Sequence, residues 1–239
     1  MSVLPPLEDK ARYVEAMFAR IAPGYDRVNR AMTFGLDQGW RSDAVALVAP
    51  PVGGSALDVG TGTGDFLPEL AAWTRGGLVV GVDFTVPMMR AGWPKLAPIG
   101  AGRAAFVGGD ALRLPFPDAS FDAITTGFVM RNVVDIDQAF REMYRVARPG
   151  ACMACVEVAR PRSPLVRLGH RLYFEGVVPW IGQLLGGDRR AYTYLPQSAR
   201  AFPAPDRLAR MMQEAGWSHV SYRLVGMGAA AIHVGAKLS

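Results

Sequence analysis

The sequence predicts an α/β fold with a doubly wound, mainly parallel sheet of seven strands. Short apolar runs alternate with helix-like segments over residues 55–157, which is typical of parallel strands joined by covering helices. A glycine turn at 60–64 joins one apolar run to the start of a helix. The alternation stops at 160–203, where prolines divide an apolar segment before two final strands. We therefore expect residues 1–239 to form a single domain.

The first 50 residues predict a helical cap in front of the sheet. Residues 8–22 place apolar side chains at helical spacing, and Pro23-Gly24 is expected to end that helix. A second helix is expected from Asp37, acting as its N-cap, to Val48.

Strands and helices then follow in alternation. The expected strands are 55–60, 78–82, 104–108, 121–127, 151–157, 217–224 and 229–236. The expected helices are 65–74, 86–92, 136–147 and 204–215. Because a parallel connection needs a crossover, these helices are expected to cover both faces of the sheet.

Residues 160–203 predict a helical insertion before the last two strands. The prolines expected to break it into short helices are Pro161, Pro164, Pro179 and Pro196. Its many aliphatic and aromatic residues fit two interpretations. One is a lid over an apolar substrate, and the other is a helical layer that completes the core.

Composition favours a cytoplasmic protein. The chain has 239 residues, is 50% hydrophobic and carries a formal net charge of +5. No apolar run approaches the roughly 20 residues of a membrane span. The insertion contains clustered arginines, at positions 160, 162, 167, 171, 189 and 190. They fit a solvated surface or peripheral attachment to anionic lipid at the inner face of a membrane. No nucleic-acid motif occurs, and a homodimer is left open.

No metal centre is expected. Cys152 and Cys155 are three residues apart in a predicted strand, so their side chains should point to opposite faces and pack in the core. There is no second cysteine pair, and none of the three histidines has a ligand-spaced neighbour.

The turn at 58–66 is the most informative stretch of the chain. Alternate glycines from Gly60 to Gly64 remove side chains, so that a ligand can approach the backbone closely. Asp83 ends the next strand, where a carboxylate can bind both hydroxyls of a ribose. These features predict a nucleoside-containing cofactor. Asp58, the acidic residue that opens the turn, suggests a ligand with a cationic end.

Six segments in order along nearly the whole chain resemble the C-methyltransferases of ubiquinone and menaquinone biosynthesis, the UbiE/COQ5 type. They are 25–40, 60–65, 111–118, 128–133, 143–150 and 192–198. The resemblance implies a Rossmann-like class I methyltransferase fold with S-adenosyl-L-methionine as cofactor. It also implies a prenylated quinol as substrate, most simply demethylmenaquinol, with another apolar aromatic or lipid-like molecule as the alternative.

The resemblance also implies the cofactor site. Thr63 is expected to face the methionine end, and Asp110 to accept a hydrogen bond from adenine. Phe84 is placed to stack on adenine. Turn capping is the alternative for Thr63 and Asp110. The predicted cofactor-binding residues are Gly60, Gly62, Thr63, Asp83, Phe84, Asp110, Ala111 and Gly127.

The predicted catalytic residues are Arg131, Asn132 and Tyr25. A quinol ring carbon becomes nucleophilic when the adjacent hydroxyl ionises. Arg131, at the end of the fourth strand, is expected to hold that oxyanion by charge-assisted hydrogen bonds. Asn132 is expected to orient the hydroxyl, and Tyr25 to gate the ring pocket. A surface ion pair for Arg131 and simple packing for Tyr25 are the alternatives.

Some positions depart from the family pattern. Histidine is usual where Asp37 stands, serine where Thr33 stands, and a cofactor-contacting serine where Gly127 stands. These departures leave room for a relative with another acceptor. A nicotinamide-dependent oxidoreductase is disfavoured by the G-x-G-x-G spacing. A catalytically silent binding subunit of the same fold is the alternative from a different class.

Overall fold

One seven-stranded sheet forms the centre of the computed structural model, which describes residues 4–161, 163–186 and 188–238. Its strands are β1 (Ala56–Val59), β2 (Val79–Asp83), β3 (Ala104–Gly108), β4 (Phe121–Gly127), β5 (Ala147–Val158), β6 (Ser218–Val225) and β7 (Ala230–Ala236). Their order across the sheet is β3-β2-β1-β4-β5-β7-β6. β7 is antiparallel to both neighbours and all other pairings are parallel, which confirms the predicted doubly wound sheet.

The central strands are buried because helices cover both faces of the sheet. All four residues of β1 are buried. Cys155 belongs to the core on one face, whereas the half-buried Cys152 packs against the core on the other. Both are free thiols, so the prediction that they pack on opposite faces is confirmed.

Ten α-helices occur in the described ranges. They are α1 (Lys10–Ile21), α2 (Tyr25–Thr33), α3 (Leu36–Val48), α4 (Leu67–Thr74), α5 (Val86–Gly92), α6 (Ile136–Val146), α7 (Pro164–Leu172), α8 (Val178–Gly186), α9 (Arg189–Ala201) and α10 (Pro205–Glu214). The sequence did not predict α2. Pro23-Gly24 ends α1 but occupies only a single 3₁₀ turn, Ala22–Gly24, after which the chain becomes helical again. Proline is compatible with the first turn of a helix, so it did not stop the helical backbone.

The turn between α2 and α3 corrects the expected role of Asp37. Phe34 and Gly35 both have left-handed backbones, with φ of 54° and 75°, and they reverse the chain. Gly35 is the N-cap of α3, and Asp37 lies inside its first turn. The Asp37 carboxylate instead binds a side chain one turn further along, Arg41.

Strand β5 begins at Ala147, four residues before the expected start. A register shift in β4 between Phe121 and Ala123 allows Phe121 to pair with Ala147. Strand β5 therefore begins before the Arg-Pro-Gly segment at 148–150 and extends through it. Sequence signals for a turn therefore did not end the strand here.

The insertion is helical but less broken than predicted. Pro164 begins α7, and a π-helical turn, Tyr173–Val177, leads into α8. The expected break at Pro196 is wrong, because this proline lies inside α9. Tyr192 and Tyr194 of α9 are buried against α1 and α2, and this packing offsets the backbone hydrogen bond that proline removes.

The insertion covers the N-terminal cap and also exposes apolar side chains. Leu165, Leu168 and Leu172 of α7 are exposed. Arg162 and the side chains of Arg189 and Arg190, which belong to the predicted basic cluster, lie outside what the structure describes. None of the helices in the described ranges is long and apolar enough to cross a membrane. The lid remains a prediction.

Candidate functional site

A cavity of about 210 Å³ opens at the carboxyl ends of β1, β2, β3 and β4. Open parallel sheets bind ligands at this edge, near the switch in strand order, which here lies between β1 and β4. The predicted site residues that line the cavity are Tyr25, Gly60, Gly62, Asp83, Phe84, Asp110, Ala111, Gly127 and Asn132. We call it the cofactor cavity.

The glycine turn requires its glycines. Gly60 has φ of +67°, and a Cβ at this position would lie 2.4 Å from the side chain of Val129. Gly62 also has a left-handed backbone, and its Cβ would lie 3.3 Å from the Cε of Met88. A larger residue at Gly60 would therefore collide with Val129 and strain the left-handed backbone.

Asp83 lines the cavity with a braced carboxylate. Its Oδ2 accepts a hydrogen bond from Gly62 N at 2.8 Å, and its Oδ1 accepts one from Thr85 N at 2.7 Å. Burial raises the pKa of Asp83, and these backbone donors oppose the rise. A carboxylate oxygen has two acceptor sites, so both oxygens can accept one hydrogen bond more. This geometry fits the two hydroxyls of a ribose.

Phe84, Asp110 and Ala111 supply the neighbouring wall of the cavity. Asp110 Oδ1 accepts a hydrogen bond from Leu112 N at 2.9 Å, so it caps a turn and also faces the cavity. The turn-capping interpretation of Asp110 is therefore confirmed, and its contact with adenine stays a prediction. The part-exposed ring of Phe84 lies where it can stack on a flat heterocycle.

Two polar residues of the turn lie elsewhere. The hydroxyl of Thr63 donates to Asp26 Oδ1 at 2.6 Å and accepts from Lys95 Nζ at 3.0 Å, so it braces helix α2 instead of lining the cavity. Asp58 is buried and accepts from Thr125 Oγ1 at 2.9 Å. Burial raises the pKa of Asp58 to about 7. Asp58 therefore belongs to the core and does not line the cavity, and the expected cationic end of the ligand stays a prediction.

Gly127 makes room for an aromatic ring. A Cβ at this position would lie 2.8 Å from Cε2 of Phe66. The ring of Phe66 thus occupies space that a serine side chain would need, and this explains why glycine stands here.

A second cavity of about 70 Å³ adjoins the first, and we call it the ring cavity. Tyr25 and Phe128 line both. Phe128 has φ of 61°, a strained backbone for a bulky residue. Such strain is held in place only by the surrounding structure and is common at functional sites.

Arg131 lines the ring cavity and not the cofactor cavity. Its guanidinium donates to Ser198 Oγ at 3.3 Å, and its Nε lies 3.9 Å from Glu157 Oε2. Burial raises the pKa of Glu157, and the charge of Arg131 opposes that rise. Among the described residues, Arg131 Nε has no hydrogen-bond partner. A buried cation with a spare donor suits an anionic ligand atom.

Asn132 and Tyr25 flank this region. Asn132 donates from Nδ2 to the carbonyl of Phe128 at 3.2 Å, and its Oδ1 accepts from the Tyr194 hydroxyl at 3.3 Å. Burial raises the pKa of Tyr25, while the charges of Arg41 and Arg131 act to lower it. Tyr25, Arg41 and Arg131 all line the ring cavity.

Sequence reasoning missed four polar residues of the ring cavity, namely Asn29, Thr33, Asp37 and Arg41. Two of them, Thr33 and Asp37, are positions where the chain departs from the family pattern. All four belong to the segment 25–41, which consists of the first family-like motif and the residue after it, and that motif is the signal that could have found them. In the described part of the chain, no group of three or more histidine, cysteine or carboxylate side chains is placed to bind a metal ion.

A third cavity, of about 360 Å³, lies beside the ring cavity and shares Val158, Phe174 and Ala199 with it. Four arginines contribute to its lining, Arg160, Arg167, Arg171 and Arg200. We call it the arginine cavity. The three cavities therefore follow one another from the sheet edge to the insertion, and each neighbouring pair shares lining residues.

The chain is similar to known methyltransferases. A model of the ubiE/COQ5 methyltransferase family matches residues 7–237. The chain is 66% identical to a demethylmenaquinone methyltransferase of Roseiflexus castenholzii, covering 99% of this chain and 98% of the relative. It is 44% identical to the enzyme of that name from Deinococcus radiodurans, covering 98% and 97%.

Solved structures share the fold at low sequence identity. A SAM-dependent methyltransferase from Aquifex aeolicus has a TM-score of 0.60 at 19% identity, over 83% of this chain and 89% of that one. A SAM-dependent methyltransferase from Thermotoga maritima has a TM-score of 0.64 at 21% identity, over 93% and 99%.

Proposed function

The chain belongs to the ubiE/COQ5 methyltransferase family, and on that premise we propose that it methylates a ring carbon of a prenylated quinol. The methyl donor is S-adenosyl-L-methionine. The simplest acceptor is demethylmenaquinol, the reduced form of the demethylmenaquinone for which its relatives are named. The observation that carries the proposal is the junction of the cofactor and ring cavities at Tyr25 and Phe128.

The cofactor cavity suits S-adenosyl-L-methionine. Asp83 offers two braced oxygens to the ribose hydroxyls, and the backbone of Gly60 and Gly62 lines the cavity without side chains. Phe84 and Asp110 stand beside them for the adenine. When bound, the cofactor supplies an electrophilic methyl group on a sulfonium, which is already a good leaving group. The protein therefore contributes mainly alignment and exclusion of water.

In the ring cavity, Arg131 stabilises the phenolate that makes the ring carbon nucleophilic. Its buried guanidinium has a spare Nε donor, and a preorganised donor is strongest where charge develops in a dry site. Asn132, braced by Phe128 and Tyr194, orients the hydroxyl. Tyr25 borders both cavities and separates the ring from the methyl group until both are seated.

The prenyl tail leaves through the arginine cavity toward a membrane surface. This route is supported by Val158, Phe174 and Ala199, which connect that cavity to the ring cavity. Helix α7 carries both exposed leucines, which provide apolar contact, and Arg167 and Arg171, which line the cavity and provide positive charge. Peripheral attachment to anionic lipid follows from that combination.

A methyl-transfer assay tests the proposal. The purified protein is incubated with S-adenosyl-L-methionine labelled in its methyl group and with demethylmenaquinone that is either chemically reduced or kept oxidised. We expect label in the reduced quinol alone, because the quinone has no hydroxyl to ionise. Equal labelling of the oxidised form would contradict the phenolate mechanism. Cofactor binding without transfer to either form would favour a silent binding subunit.

A further inference from the structure

Arg41 is a second buried guanidinium of the ring cavity, in addition to Arg131. It lies on α3, lines the ring cavity and is only 7% exposed. No described side chain or backbone group accepts a hydrogen bond from its Nε. The cavity thus contains two buried cations that each keep an unused donor. An unpaired buried donor is costly, so a ligand that supplies an acceptor gains a strong interaction.

The position of Arg41 is fixed from several sides. Its guanidinium donates to Asp37 Oδ2 at 2.7 Å, and Asp37 Oδ1 accepts from Thr33 Oγ1 at 2.6 Å. The guanidinium carbon lies 5.5 Å from the ring centre of Phe66 and 5.5 Å from that of Phe128. A guanidinium held by a carboxylate and two aromatic rings is preorganised for a planar partner.

The protein itself pairs the charges around the ring cavity. Asp37 binds Arg41, and Asp65 lies 3.6 Å from Arg41 and also binds Lys95. Glu157 lies 3.9 Å from Arg131. Each guanidinium nevertheless keeps one unused donor, its Nε, so the ring cavity suits a ligand with two acceptor oxygens.

We propose that Arg41 binds the second ring oxygen of the acceptor, opposite the oxygen held by Arg131, and makes the enzyme specific for a 1,4-dihydroxylated ring. This inference rests on the proposed function and adds a specificity-determining residue to it. A site built to hydrogen-bond a hydroxyl rejects an analogue without it, since its buried donors are then left unpaired. Asp37 and Thr33 act as positioning residues for Arg41.

The test pairs a change in the enzyme with a change in the ligand. The ligands are 2-farnesyl-1,4-dihydroxynaphthalene and 3-farnesyl-1-naphthol, the mono-hydroxyl analogue that keeps the hydroxyl next to the methylated carbon and lacks the opposite one. Their affinities are measured by calorimetry under reducing conditions, on protein saturated with S-adenosylhomocysteine. Wild-type protein should prefer the diol by about 10- to 100-fold, as expected for a hydrogen bond to a charged donor. In Arg41→Gln the preference should fall to about threefold or less.

Two companion variants protect the test against misfolding. Asp37→Asn combined with Arg41→Gln leaves no unpaired buried carboxylate and should show the same loss of preference. Lys95→Gln is the matched control, because Lys95 also binds Asp65 but lines neither of the two cavities. It should keep the wild-type preference even if it lowers stability.

Several outcomes would overturn the inference. The first is an unchanged diol preference in the folded double variant. The second is an equal loss of affinity for both ligands, which would make Arg41 purely structural. A wild-type protein that binds neither ligand would overturn the proposed function itself, and that failure is visible without any variant.

Discussion

Individual buried charged side chains determine which ligand groups the two cavities can bind. Asp83 keeps its carboxylate at the cofactor cavity by accepting from two backbone amides. Arg131 and Arg41 lie at the ring cavity with unused Nε donors. Such groups are stable in the interior only when pairing and ligand contacts compensate their desolvation. Their substitution should therefore affect one ligand and spare the other.

Asp83→Ala should weaken binding of S-adenosyl-L-methionine, since the ribose loses a charged acceptor. The expected cost is about 1.5–3 kcal/mol for each lost hydrogen bond. Titration calorimetry on wild type and Asp83→Ala measures this loss of affinity. Asp83→Asn, which keeps one acceptor oxygen, should have an affinity between those of the two proteins. Asp118→Ala removes an exposed carboxylate, 78% accessible, and serves as the control. Equal affinity in Asp83→Ala and wild type would refute the ribose assignment.

Arg131→Gln should lower turnover by about 10²–10³ while leaving affinity for S-adenosyl-L-methionine nearly unchanged. The guanidinium acts on charge that develops in the transition state, and it lines the ring cavity, not the cofactor cavity. Steady-state kinetics and cofactor titration together measure the two effects.

Glu157 complicates this variant, because it would lose its cationic partner while buried. Arg131→Gln combined with Glu157→Gln removes that penalty and should show the same kinetic defect. Near-normal turnover in the folded double variant would remove Arg131 from the chemistry. Loss of cofactor affinity would instead place it at the cofactor.

At the scale of the element, helices α2 and α3 and strand β1 bring the site together. Asp26 of α2 binds Thr63 and Lys95, with Lys95 Nζ 2.7 Å from Asp26 Oδ2, and so ties the cap to the glycine turn. Asp37 and Arg41 of α3 complete the ring cavity. Strand β1 contributes a buried carboxylate, Asp58, to the layer beneath.

Asp58 should give the fold a measurable pH dependence. Its folded pKa of about 7 lies above the unfolded value of roughly 3.9, so the folded state binds the proton more tightly. Its contribution is fully present below about pH 4 and is lost as pH rises through 7. Relative to Asp58→Asn, wild type should lose about 4 kcal/mol of unfolding free energy between pH 4 and 8. Urea denaturation at several pH values checks this, and parallel curves for the two proteins would contradict it.

At the scale of the whole molecule, the three cavities connect the sheet edge with the outer face of the insertion. The cofactor cavity meets the ring cavity at Tyr25 and Phe128, and the ring cavity meets the arginine cavity at Phe174 and Ala199. A substrate with a polar ring and a long apolar tail fits this sequence of environments. The tail's exit determines where the enzyme must dock.

The exposed leucines of α7 should contribute to membrane binding. Leu165, Leu168 and Leu172 are 79%, 54% and 64% exposed, at helical spacing. Replacing all three by glutamine should reduce cosedimentation with phosphatidylglycerol vesicles, since less apolar area is buried. Binding of wild type should weaken with salt, because the arginines act through screened charge.

A matched control replaces exposed apolar residues far from the insertion in sequence, Leu7 and Val52, by glutamine. This variant should bind vesicles as wild type does. Absence of wild-type binding to anionic vesicles at low salt would end the proposal of membrane attachment.

The sequence by itself determined the sheet, most helices and several residues that line the cofactor cavity. Alternating apolar runs set the strands, and Gly60, Asp83 and Asp110 could be placed because parallel strands end at one edge of a sheet. These features are local, because each is specified by a strand, the turn after it and the residue that follows. Helix α2 and the start of β5 were missed because packing and register overrode proline and glycine signals.

Only the tertiary structure decided the ring cavity. It turned the Thr63 hydroxyl toward Asp26 and Lys95, and it brought Arg41 of α3 beside Arg131, which follows β4. No spacing in the sequence predicts that Arg41 and Arg131 line the same cavity, because this depends on how the N-terminal cap packs across the edge of the sheet. Contacts between segments that are distant in sequence form when whole apolar faces of helices and strands are buried. The role of a side chain at such a contact depends on the residues that surround it.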